Sequence, residues 1–198
     1  MTSRLRARAL TLGYADRDVV KSLDLDVLDG RVTAIVGANA CGKSTLLRGL
    51  ARLLGARSGE VVLDDVPIQQ HSTRHVATVL GLLPLAQQTD LLLLDEPTTF
   101  LDISHQVEVL DLLTDLNRTS GTTIVMVLHD LNLAARYADH LIALHEGRLH
   151  SAGRPHEVLV PELVQDVFGM RSTVIPDPVS GKPLMLPMGR HHVAVAAD

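Results

Sequence analysis

Aromatic residues are nearly missing from this chain: it has no tryptophan, two tyrosines and two phenylalanines in 198 residues. A core without rings must be filled by branched aliphatic side chains. Leu, Val, Ile and Ala supply them, in a composition that is 46% apolar and so excludes a disordered chain. The length suits one domain with a real core. Cysteine is reduced to one residue, Cys41, which excludes an internal disulfide and fits a reducing compartment. An excess of positive charge is also lacking. At net charge −5, with Lys and Arg scattered, there is no electrostatic case for nucleic-acid binding. No apolar run approaches the roughly 20 residues that cross a bilayer. The arginines of MTSRLRARAL are followed by no apolar stretch of the kind a secretory leader needs. The expected location is therefore the cytoplasm, with any membrane contact made through a partner. Internal repeats and low-complexity segments are absent as well.

What is present alternates between two periods. In Leu5–Leu10, Arg4, Arg6 and Arg8 fall on one face and Leu5, Ala7 and Ala9 on the other, the period of a half-exposed strand with a solvated basic side. Further strands are expected at Val19–Val27, Arg31–Val36, Glu60–Leu63, Val76–Leu82, Leu91–Leu94, Thr122–Leu128 and Leu141–Leu144. Turns are expected at Asp29-Gly30 and Glu146-Gly147. Helical spacing occupies Ser44–Leu54, Ser104–Leu116 and Asn132–Ala138. Strands separated by helices predict an α/β fold with a parallel sheet. The first strands add an antiparallel part, and the proline-rich stretch from Gly169 onward is expected to form short strands and a loose tail.

The stretch GANACGKST, Gly37 to Thr45, has two glycines bracketing four residues, followed by Lys and Ser. Gly37 and Gly42 permit backbone angles and close approach that a side chain would block. Successive N–H groups across Asn39, Ala40 and Cys41, backed by a helix N-terminus, form a nest for phosphate oxygens. Lys43 can reach the β- and γ-phosphates, and the Ser44 hydroxyl can ligate Mg²⁺. Downstream, LLLLDEP ends a buried strand in Asp95 and Glu96, at the sheet edge where ligands of parallel sheets bind. Asp95 can hold the metal that Ser44 touches, and Glu96 can orient or deprotonate an attacking water. IVMVLHD brings His129 to the end of another buried strand, within reach of a γ-phosphate or that water. The remaining histidines, including His191-His192, carry no ligand spacing.

Together, GANACGKST, LLLLDEP, TTFLD and VLHD resemble the nucleotide-binding subunit of ABC transporters, and nearly the whole chain takes part in the resemblance. The segments VLHDLNLAARYADHLIAL and VFGMRSTVIPDPVSGKPLMLP look most like the ATPase subunits of iron-siderophore, haem or cobalamin importers. The resemblance implies a P-loop NTPase (RecA/F1-like) core over residues 1–168 with an extension over 169–198. ATP and Mg²⁺ would be its cofactors. Tyr14 would stack on adenine, and Gly37 to Thr45 would wrap the phosphates. Asp95 would hold magnesium, Glu96 would be the catalytic base, Asp102 would lie in a loop crossing a dimer interface, and His129 would be the switch residue. The implied partners are a second nucleotide-binding subunit and membrane-spanning permease subunits, with the chain peripheral to the inner face of the cell membrane.

One departure stands out. Relatives carry a glutamine loop after a GLLPQ-like strand end, then a helical subdomain ending in an LSGGQ-type signature. Here Pro84 is followed by Leu85, no LSGGQ-like string occurs, and LAQQTD resembles the tail of the helix after the signature. Gln87 and Gln88 do not take the glutamine-loop role, and Ser180-Gly181 is no substitute for the signature. The helical subdomain is expected to be absent across the 84/85 junction. Eight residues, Leu83 to Asp90, would then join two parallel strands. They can span about 27 Å, but a crossover usually uses a dozen or more residues and a covering helix. Exposed apolar surface and reduced stability are expected there, with impaired hydrolysis and coupling. Two readings remain open: an importer ATPase, or a nucleotide-binding module without turnover, a deletion product. A P-loop kinase or DNA-repair ATPase leaves the Asp-Glu pair and TTFLD poorly explained.

Overall fold

The structure is a computed structural model that describes residues 2–81 and 89–189. The chain begins with β1 (Leu5–Tyr14), β2 (Arg17–Val27) and β3 (Val32–Gly37), followed by α1 (Lys43–Leu50), β4 (Ser58–Leu63) and β5 (Val66–Pro67). Next come α2 (Thr73–Val79), β6 (Leu80–Gly81), β7 (Leu91–Asp95), α3 (Ile103–Ser120), β8 (Thr123–Val127) and α4 (Leu131–Tyr137). The last part contains β9 (His140–His145), β10 (Arg148–Gly153), α5 (Pro155–Val158), α6 (Pro161–Phe168), β11 (Ser172–Pro176) and β12 (Pro183–Pro187).

Three sheets result, ordered β2-β1-β4-β5, β10-β9-β3-β8-β7-β6 and β11-β12. The first is antiparallel. In the six-stranded sheet β3 is central, parallel to β8 and β9, with β7 parallel to β8 and β6 parallel to β7. The expected parallel core with an antiparallel N-terminal part is what forms.

The apolar runs explain the layering. Side chains of a strand alternate between faces, so each buried parallel strand feeds two cores. Ile35, Leu91, Leu93, Val125, Val127, Ile142 and Leu144 join β1, β2, β4 and α1 on one side. Ala34, Val36, Leu92, Leu94, Met126 and Ala143 join α3, α4 and α6 on the other. A strand covered on both faces is mostly apolar, and β3 and β8 are buried at every position, with Thr33 and Thr123 their polar exceptions. β1 instead alternates buried and partly exposed positions over Leu5–Arg8. The arginines on this face are partnered: Arg4, just before the strand, with Asp64 and Asp90, Arg6 with Asp65, Arg8 with Asp26. The basic face is a paired, solvated strand face.

Two expectations are corrected. Val76–Leu82, expected as a strand, is helical through Val79, and only Leu80–Gly81 pair as a strand with Leu91–Leu92. Ser72 caps that helix by accepting from the His75 N–H at 3.1 Å, and this start signal overrides the β-branched composition. The helix expected over Ser44–Leu54 stops at Leu50, where Arg52 turns left-handed at φ 60°. Residues 82–88, which include the Pro84–Leu85 junction with Gln87 and Gln88, lie outside the described residues, as do His191-His192 and the expected tail beyond Gly189. The stretch after Gly169 forms the β11–β12 hairpin.

Candidate functional site

The phosphate loop leaves the central strand and enters α1. Gly37 has φ 152°, and a Cβ there would lie 2.4 Å from the Leu144 carbonyl oxygen and 2.7 Å from Cys41 Sγ. Gly42 has φ 106° at the N-cap of α1. Both glycines are thus required by the turn itself. Lys43 is buried and its ammonium donates to the carbonyl oxygens of Gly37 at 2.9 Å and Ala38 at 3.1 Å, which folds the cation over its own loop. Cys41 is buried too, and burial pushes its thiol up, as befits a filler and not a reactive thiolate.

β7 and β8, adjacent and parallel, end beside this loop. Ser44 Oγ donates to Asp95 Oδ1 at 2.8 Å, so hydroxyl and carboxylate share one corner. His129 Nε2 lies 2.6 Å from Glu96 Oε1. A carboxylate only accepts, so this contact places a proton on Nε2. Thr99 Oγ1 donates to the other Glu96 oxygen at 3.1 Å. Burial pushes the Glu96 carboxyl up, but the hydrogen bonds from His129 and Thr99, with the nearby charges of His129 and Lys43, leave it below its ordinary value. Glu96 is therefore ionised at neutral pH.

A cleft of about 1140 Å³ opens over these groups, lined by Tyr14, the loop from Ala38 to Thr45, Glu96 and His129. Tyr14 is 45% exposed and its hydroxyl accepts from Arg48 Nη1 at 3.4 Å. Hydrogen bonding to Thr45 and Arg48 holds that phenol below its ordinary value. The cleft is also lined by residues the sequence did not flag: Arg17, Asp18, Val19 and Lys21 from β2, and His145, Glu146 and Gly147 from the β9–β10 turn. Gly147 N–H donates to Cys41 O at 3.1 Å, and Lys21 N–H donates to Gly147 O at 2.8 Å. The left-handed Gly147, φ 80°, was the available signal; a Cβ there would sit 2.0 Å from the Val19 carbonyl oxygen.

Asp102 is not brought to this cleft. It is the N-cap of α3, accepting from the His105 N–H at 3.0 Å and the Ser104 hydroxyl at 2.8 Å, and these bonds keep its carboxyl low. The remaining candidates converge. Hydroxyl and carboxylate oxygens at the Ser44–Asp95 corner suit a hard cation such as Mg²⁺. Among the described residues no group of three or more His, Cys, Asp or Glu side chains could hold a metal ion. A cation there would need oxygens from a bound phosphate as well.

A family profile described as ABC transporter matches residues 20–87. The ferric enterobactin transport ATP-binding protein FepC of Escherichia coli is 38% identical over 258 residues, covering 95% of this chain and 95% of the relative. A probable siderophore transport system ATP-binding protein, YusV, of Bacillus subtilis is also 38% identical, with 95% and 94% covered. A stretch of 258 positions is longer than the 198-residue chain, so at least 60 positions inside that alignment have no residue of this chain opposite them. Among solved structures, cbiO1 from Clostridium perfringens superposes with a TM-score of 0.71 at 22% identity, covering 84% of this chain and 94% of that one. A dimeric ATP-binding cassette bound to ADP and Pi, MJ0796, gives 0.65 at 19%, with 76% and 98% covered. The fold is that of these P-loop cassettes, and the chain, shorter than its relatives by an internal stretch, belongs to the ABC transporter family of ATP-binding proteins.

Proposed function

We propose that the cleft binds Mg-ATP, and that the chain descends from the ATP-hydrolysing subunit of an importer for siderophore-type iron complexes. One observation carries the nucleotide assignment. The phosphate loop and the Glu96–His129 pair, in contact at 2.6 Å, line one cleft, and Ser44 of that loop holds Asp95 at 2.8 Å. N–H groups of the loop and the Lys43 ammonium bind the phosphates. Ser44 and Asp95 would hold the magnesium ion, whose charge neutralises the phosphate oxygens when bound. Ionised Glu96 accepts a hydrogen bond from an attacking water and orients it, and His129 reaches the terminal phosphate while fixing the Glu96 oxygen. The exposed Tyr14 ring offers a face for adenine. The cargo class follows the relatives' names, and membrane-spanning permease subunits with a second nucleotide-binding subunit would be the partners, on the inner face of the membrane.

Turnover and coupling are proposed to be impaired. The chain holds no LSGGQ-like string, and at least 60 positions present in FepC are missing. We place that gap at the Pro84–Leu85 junction. In the family the signature of one subunit completes the phosphate site of the other, so its loss removes preorganised donors from the transition state. Calorimetry with Mg-ATP is expected to detect binding that Lys43→Ala weakens about a hundredfold, through lost charge-assisted bonds. ATPase assays on the same material are expected to stay near background. Turnover matching an intact relative and abolished by Glu96→Gln would overturn the impaired reading. Absence of nucleotide binding would overturn the cleft assignment.

A further inference from the structure

His129 stands on a bridge between two anchored elements. On one side the Leu128 N–H donates to Ile35 O at 3.2 Å, tying the end of β8 to the central strand. On the other side Asp130 caps α4, accepting from the N–H groups of Asn132 at 2.7 Å and Leu133 at 2.9 Å. The placement of the imidazole is therefore inherited from the placement of α4. That helix has seven residues, too few to persist without tertiary support. Its buried side offers Leu131 and the small side chains of Ala134 and Ala135.

Stronger anchors come from the C-terminal hairpin. Asn132 Nδ2 donates to Met185 O at 3.1 Å, and the Met185 N–H donates back to Asn132 Oδ1 at 2.7 Å. The amide side chain imitates a peptide and pairs with β12 as a neighbouring strand would. One turn later Arg136 donates through Nε and Nη2 to Asp177 Oδ2, at 3.0 and 2.7 Å. Asp177 is itself fixed, since Oδ2 also accepts from Ser180 Oγ at 2.7 Å and Oδ1 from the Val179 N–H at 3.0 Å. Asn132 and Arg136 are four apart, on one face of α4, and the hairpin grips both.

We propose that Asn132 is a positioning residue for His129, and that the β11–β12 hairpin, acting through Asn132 and Arg136, sets the reach of the imidazole toward the terminal phosphate. This rests on the reading of the cleft as a Mg-ATP site. A purely structural anchor would support both nucleotides alike, because α4 and the hairpin belong to the same core whichever is bound. A positioning anchor matters only where His129 meets the γ-phosphate, which ADP lacks.

The test is calorimetric affinity for Mg-ATP and Mg-ADP on the whole chain. Asn132→Ala is expected to weaken ATP binding roughly fivefold, the loss of one well-placed hydrogen bond, while ADP stays within about twofold. His129→Ala is expected to show the same selectivity, and His129→Ala/Asn132→Ala to bind ATP like His129→Ala alone, because the two residues act as one unit. Asp177→Asn leaves the sequence of α4 intact and carries the same ATP-selective loss should Asn132→Ala prevent folding. Equal losses for the two nucleotides, unchanged ATP affinity, or additive losses in the double variant overturn the proposal while leaving the Mg-ATP site standing. No binding of either nucleotide by the unaltered chain overturns the site and the proposal together.

Discussion

Two neighbouring strands deliver the two groups that meet at 2.6 Å, yet their exits are built differently. After β8 the chain passes through His129 straight into a capped helix whose outer face is bound to the hairpin. After β7 it runs through Glu96, at φ 53°, and Phe100, at φ 66°, two non-glycine residues in the left-handed region. Such conformations cost of order 1 kcal/mol or more each and persist only where the surroundings hold them. Here the surroundings are thin: Phe100 is wholly exposed, Ile103 nearly so, and Leu101 borderline. One exit is supported by this chain alone; the other shows apolar side chains to solvent. Exposed apolar patches of this kind mark interaction surfaces. The difference teaches that the histidine side of the site is a finished piece of the fold and the glutamate side is not.

The comparison can be broken or sharpened by substitution. The largest expected effect is at Leu128, which is buried at the histidine exit: Leu128→Ala is expected to cost about 2–5 kcal/mol in urea unfolding. Leu101→Ala, at the glutamate exit, is expected to cost under about 1 kcal/mol. Equal costs would show that the two exits are supported alike. Next comes acid stability. The Ser180 hydroxyl and the Val179 N–H, with Arg136 beside them, hold the Asp177 carboxyl down at about 2. A carboxyl lowered in the folded state stabilises above its unfolded value of about 4, and that contribution is lost as pH falls through roughly 4 to 2. Asp177→Asn is therefore expected to flatten the acid side of a melting-temperature profile between those values, while variants of surface carboxyls away from the hairpin keep the native slope. The smallest effect is expected from Phe100→Ser, within about 0.5 kcal/mol in stability, accompanied by weaker fluorescence of a hydrophobic dye. Undiminished dye binding would place the exposed apolar surface elsewhere.

Most of the sheet was legible because buried parallel strands must be apolar on both faces, and LLLLD and TIVMV admit little else. The phosphate loop was legible because its chemistry depends on backbone shape, which fixes glycine positions in the sequence. Over Val76–Leu82 an apolar, β-branched run carries no unambiguous period, and the Ser72 cap decides for helix. The helices α5 and α6 are short, and their start signals are Pro155 and Pro161 at their first positions, with Glu157 and Glu162 in their first turns. The Glu146-Gly147 turn was legible as a turn, but its place in the cleft and that of the β2 residues was not, since they reach it by crossing between sheets, and Asn132 was not because its partner Met185 is 53 positions away.

The Gly147 turn has a consequence of its own. By donating to Cys41 and accepting from Lys21, it rivets the antiparallel sheet that carries Tyr14 to the parallel sheet that carries the phosphate loop. Both links are peptide to peptide. The register of the two sheets at this point is thus set by main-chain geometry, so side chains around the rim can change without loosening the junction.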